Sequence, residues 1–279
     1  MKKWIDYGKA LGKEFSNDNA PLLAAAQAYY YMLSLVPMLI LVLAIIPYLN
    51  LDTNTVLDTL TGMMPGELAN VFEDQIVSIL TEQRGGLLTF GIIGTIWSAS
   101  NGMNAFIKAQ NEAYDVKVDR SFVKARLVSI ALTLGLILAL IVALLLPVFG
   151  NALISFFQST GLMPPGTEIL FQVLRWVVSI IVIAGVFAAL YHFAPNTTIP
   201  FKSSIPGALF ATLALQLTSL GFSFYLSNFG NYSETYGSLG GIIILMLWLF
   251  LIGLILVVGG ELNAIIHRRK RGIKSATDE

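Results

Sequence analysis

Long apolar runs dominate this chain of 279 residues. A helix needs roughly 20 mostly apolar residues to cross a bilayer. The runs that qualify are Ala24–Leu49, Leu87–Ile107, Leu127–Phe149, Val173–Phe193, Pro206–Leu226 and Leu239–Ile265. The pattern predicts an all-α, polytopic membrane protein with six transmembrane helices. The second run is the most diluted, because Ser98, Ser100, Asn101 and Asn104 interrupt its later half. The first is longer than the apolar core of a cleavable signal peptide, and no small-residue cleavage site follows it.

Between the first two runs, Asp52–Gln83 is too long for a simple connector. Pro65, Gly66 and Glu67 read as a helix start, with proline in the first turn and an acid at the positive end of the helix dipole. Leu68, Val71, Phe72, Ile76, Ile79 and Leu80 follow at helical spacing. Residues 50–86 are therefore expected to form an amphipathic extracytoplasmic helical loop, with a shorter helix around Thr55–Thr61. Residues 1–23 place Trp4, Leu11 and Phe15 near one face and four lysines elsewhere, which suits a helix in the cytoplasmic interface or a plain topology anchor. Residues 266–279 form a basic cytoplasmic tail. The whole chain, 1–279, is expected to be one membrane domain.

Composition agrees with the pattern. Hydrophobic residues make up 56% of the chain and charged ones 12%, against about 25% charged in a soluble domain. Mean hydropathy is +0.73. Net charge is zero, but the cations are unevenly placed: 15 of the 17 fall before run one, between runs two and three, between four and five, or after six. Only Arg84 and Arg175 fall on the other side. The positive-inside bias puts both termini in the cytoplasm of a bacterial inner membrane.

Catalytic material is scarce. The chain has no cysteine and only His192 and His267. It lacks a phosphate-binding G-x-x-x-x-G-K-[ST] loop, a G-x-S-x-G elbow and an H-E-x-x-H motif. No enzyme activity, cofactor or metal site is assigned. Polar residues at membrane depth remain as candidates, since they are costly there. Gln27, Tyr30, Asn101, Asn104, His192, Glu261 and Asn263 all fall in the cytoplasmic half of four different spans. They suit an inward-facing polar pocket, or equally a set of interhelical hydrogen bonds and an interfacial belt. Pro37 is a kink candidate, and Arg126 begins span three at the depth of Glu261, which suggests a gating ion pair. On the outer side Arg175 is a candidate anion contact, or a side chain snorkelling to headgroups.

Several motifs together resemble the YihY/BrkB family of bacterial inner-membrane proteins, over nearly the whole chain. They are Ala28-Tyr29-Tyr30 with Ser34-Leu35-Val36-Pro37, Gly91-x-x-Gly94-x-x-Trp97-Ser98-Ala99-Ser100, Asn111-x-x-Tyr114, Tyr236-Gly237-Ser238-Leu239-Gly240 and Gly260-Glu261-Leu262-Asn263-Ala264. The resemblance implies a six-helix membrane protein linked to virulence, envelope function and transport. Some members carry an old ribonuclease BN label, which no residue pattern here supports. The expected function is transport of an amphipathic or lipid-like substrate. The alternative is a non-catalytic envelope scaffold that binds envelope proteins through its extracytoplasmic helices. Membrane lipids are the expected partners and nucleic acid is not. The oligomeric state is left open.

Overall fold

The computed structural model describes residues 2–45, 48, 85–116, 120–138, 168–229 and 239–272. Every regular element among them is helical. In chain order they are α1 (Lys2–Asn17), α2 (Ala20–Ile45), α3 (Gly85–Ala113), α4 (residues 122–138), α5 (Glu168–Phe193), α6 (Ile205–Phe229) and α7 (Leu239–Arg271). A 3-10 turn at Phe201–Ser203 leads into α6. The helices expected between Asp52 and Gln83, the outer part of the third run and the tail beyond Gly272 lie outside the described residues.

Among the described residues, three stretches are long and apolar enough to cross a membrane: Ala20–Leu41, Phe201–Leu226 and Gly240–Arg271. Ile180–Phe193 is a shorter apolar helix. The surface is as diagnostic as the lengths. Along α6, Leu209, Leu213, Leu217, Leu220 and Phe224 stand 48% to 70% exposed, three or four residues apart. In water such a stripe is an aggregation-prone patch. Against hydrocarbon it is the expected outer face of a span.

The chain divides into two compact units, Tyr30–Asn101 and Met1–Tyr29 with Gly102–Glu279. In the first, Gly91 lets α3 approach the backbone of α2 closely, since a Cβ there would stand 2.9 Å from Leu41 Cα. Gly94 similarly faces Pro37, which sits inside the helical run of α2.

In the second unit α7 packs on α6 and α1, and α6 packs on α5. The core holds Met103, Phe106 and Ile107 of α3, Leu190 and Tyr191 of α5, Ala208 and Ala211 of α6 and Leu256 of α7. Small residues set the α6–α7 spacing. A Cβ on Gly207 would overlap the carbonyl of Gly259, and one on Gly259 would overlap the Tyr191 hydroxyl. Gly253 is as tight against Ala24, whose carbonyl oxygen would lie 2.8 Å from a Cβ. Close helix approach through small residues is how membrane helices gain packing without a hydrophobic drive.

Candidate functional site

The basic residues after Ile265 close one end of the second unit, and here the structure departs from the sequence expectation. α1 does not present its whole length to lipid or water. One face packs on α7, where Phe15 joins Ala20, Ala109 and Val257 in a small apolar cluster and Glu14 is buried. Near the start of α1, Arg269 donates to the Asp6 carbonyl at 3.0 Å and stacks 4.2 Å over the Tyr7 ring. Arg268, only 8% exposed, joins three segments. It bonds Glu14 at 2.7 Å, Asp115 at 2.7 Å and the Ala113 carbonyl at 3.0 Å. The last contact supplies a donor to the carbonyl end of α3, where a cation also suits the helix dipole.

Deeper in the same end lies Glu261, with no solvent exposure. Carboxylate oxygens of Glu14, Asp18 and Glu261 lie within 4.8 Å of one another. Apart from a proton shared with Asp18, neither Glu261 oxygen has a hydrogen-bond donor. The pair expected with Arg126 does not form: the guanidinium acting on Glu261 is that of Arg268, already committed to Glu14 and Asp115. Equal depth and opposite charge pointed to Arg126, but α1 folds back and brings a different set of charges. Asp18, at the α1–α2 junction, has its carboxyl pushed up, first by burial and further by Glu14, Asp115 and Glu112, while a hydrogen bond to Glu261 acts the other way.

One predicted pocket residue ties helices together. Asn263, fully buried, accepts from the Gly207 N–H at 2.6 Å and donates to the Ser204 carbonyl at 3.2 Å. It thus satisfies an unpaired donor in the first turn of α6 from a neighbouring helix. The Tyr191 hydroxyl, not among the predicted residues, donates to the Leu256 carbonyl at 2.9 Å. Gln27 is fully buried and donates to Leu23 O at 3.4 Å. His192 is half-buried, with the Phe193 and Phe201 rings 4.7 and 5.4 Å away. Asn104 is half-buried on α3, and Tyr30 and Asn101 belong to the other unit. The Arg175 side chain lies outside the described residues.

An apolar groove of about 450 Å³ lies between α4 and α5, lined by residues including Leu132, Gly135, Leu136, Gly185, Ala189 and Phe193. Its walls are small or aliphatic for most of their length. Arg126 precedes Ala131, the first lining residue of α4, by about one and a half turns. His192 adjoins Phe193 on α5.

The sequence reasoning missed Glu14, Asp18, Asp115 and Arg268. One signal was present: acids recur among the lysines and arginines of the basic side, at Asp6, Glu14, Asp18, Glu112 and Asp115. Counting cations for topology hid them.

A chain whose described elements are all helical, with several apolar spans and a leucine-rich outer face on α6, is a multi-pass membrane protein. The chain belongs to the Virulence factor BrkB family, which it matches over residues 11–279. It is similar to the ribonuclease-like protein YfkH of Bacillus subtilis, at 44% identity over 252 residues that cover 89% of this chain and 90% of that one. It is also similar to a UPF0761 membrane protein of Photobacterium profundum, at 28% identity over 282 residues covering 97% and 84% of the two chains. No solved structure matches it.

Proposed function

We propose that this protein crosses a bacterial inner membrane six times with both termini cytoplasmic, and moves an amphipathic, lipid-like substrate rather than catalysing a reaction. The observation that carries this is the α4–α5 groove. Its apolar walls suit an acyl chain, and the basic residues that flank the spans on the side of Arg126 suit anionic headgroups.

Among the described residues, the carboxylates that could serve the chemistry in YfkH's ribonuclease-like name are not accessible. The carboxylates gathered at the basic end are those of Glu261 and Glu14, which are 0% and 5% exposed, and of half-buried Asp18. A phosphodiester backbone needs an open cleft.

One finding favours the rival scaffold function: Asn263 is used in holding α6 against α7, as a static bundle requires. A comparison in cells separates the two. Transport expects Glu261→Gln and Asn104→Leu to abolish a deletion-complementing phenotype at normal membrane abundance, with polar replacement of the apolar face of Leu68–Leu80 mattering less. The scaffold account expects the reverse ranking.

A further inference from the structure

Three carboxylates converge at the basic end from three segments: Glu14 from α1, Asp18 from the α1–α2 junction and Glu261 from α7. Closeness of acids alone would mean little. The second observation is the state of Glu261, which is wholly buried and directed into the cluster, with no donor for either oxygen from outside the cluster. The fully buried Gln110, whose amide atoms also lack partners, packs against Gly260, so unsatisfied polar groups gather at one turn of α7. Arg268 does not relieve this, because its hydrogen bonds go to Glu14, Asp115 and the Ala113 carbonyl. A buried carboxylate beside two others requires positive charge or shared protons.

We propose that Glu14, Asp18 and Glu261 bind a hard divalent cation that fastens the N-terminal helix α1 to α7. The donor set is all oxygen, without histidine or cysteine, which suits Mg²⁺, Ca²⁺ or Mn²⁺ and disfavours softer metals. Two ligands on opposite sides of a calcium ion stand roughly 4.8 Å apart, given Ca–O distances of about 2.4 Å, and the oxygens here lie within 4.8 Å. Glu14 would bridge the cation and Arg268, so the ion and the guanidinium would hold α1 from two sides. The ion is a latch on α1 and does not itself require that the protein transport anything.

The test uses full-length protein in detergent, stripped with EDTA and desalted, with Mn²⁺ as the probe read by loss of its free electron-paramagnetic-resonance signal. The expected result is about one Mn²⁺ bound per chain, displaced by excess Ca²⁺ or Mg²⁺, whichever is the better fit. Asp18→Asn and Glu261→Gln should each weaken binding by about tenfold or more, since affinity follows the number of ligand charges. Glu112→Gln, on an exposed side chain of the same end, should bind as the wild type. If Glu261→Gln does not accumulate, Asp18→Asn carries the comparison, because Asp18 is only half-buried. No stoichiometric binding, or equal binding in wild type and Asp18→Asn, overturns the proposal. So does a stripped Asp18→Asn protein that melts higher than a wild type indifferent to cations, which would mean that a shared proton holds the cluster.

Discussion

Arg268 and Glu14, 254 positions apart in the chain, are joined by a 2.7 Å ion pair in which both side chains are more than nine-tenths buried. The pair closes the chain's first described helix onto its last. It also fixes where Glu14 points, and so shapes the acidic cluster beneath it.

Removing the cation alone should be costly. Arg268→Met removes the guanidinium from Glu14, Asp115 and the Ala113 carbonyl, with an expected loss of about 3–5 kcal/mol, the range for breaking a buried pair. Thermal unfolding of the detergent-solubilised variant measures it. The double variant Glu14→Gln with Arg268→Met should lose less than the sum of the single changes.

Asn263→Leu should destabilise the α6–α7 contact by about 1–3 kcal/mol, because the Gly207 N–H loses its acceptor in a buried place. Gly207→Ala should be worse, since its Cβ would collide with the Gly259 carbonyl and the Asn263 amide. Proteolysis rates in detergent, compared with the wild type, test the ranking.

Reporter fusions test the orientation. Those after Gln83, Ser159 and Tyr232 should appear outside, and those after Asp119, Ser203 and Ser275 inside. A single reversed loop would show a miscounted span, with α3 the weakest because of its polar later half.

Acidity should act through Asp18. Its carboxyl is raised, so the stability it contributes is fully present below the unfolded carboxylate range and is lost as pH rises through the folded value. The facing charged groups are Glu14 on α1, Glu112 and Asp115 at the end of α3, and Glu261 and Arg268 on α7. Chelator-treated protein should therefore melt lower at neutral pH than just above the acid range, and Asp18→Asn should flatten that slope. An unchanged slope in the variant would assign the effect to another group.

The helical class was legible because a span leaves a long, nearly charge-free run, and Phe201–Leu226 and Gly240–Arg271 carry that mark plainly. The family was legible from motifs such as Gly260-Glu261-Leu262-Asn263-Ala264. In the structure Gly260 admits Gln110 against α7, and Asn263 caps α6. The acidic cluster was not legible. Its carboxylates are separated by up to 247 positions, and Glu14 sits on a helix whose lysines and aromatics read as an interfacial anchor. The packing of α1 onto α7 was not predictable from the sequence, and it decides which charges surround Glu261.

The most direct test of the transport account is lipid movement in proteoliposomes, with Gly135→Leu and Gly185→Leu as the controls. Both glycines line the α4–α5 groove, and a Cβ at either meets nothing within 4 Å, so each leucine can enter the groove without disturbing the packing. Leucine also favours a helix over glycine by roughly 0.8 kcal/mol, so stability should hold or rise. The account predicts that wild-type protein accelerates transbilayer movement of a fluorescent phospholipid, read by quenching of the outer leaflet, and that both leucine variants return the rate to that of protein-free vesicles. Equal rates for wild type and stably folded leucine variants would contradict it.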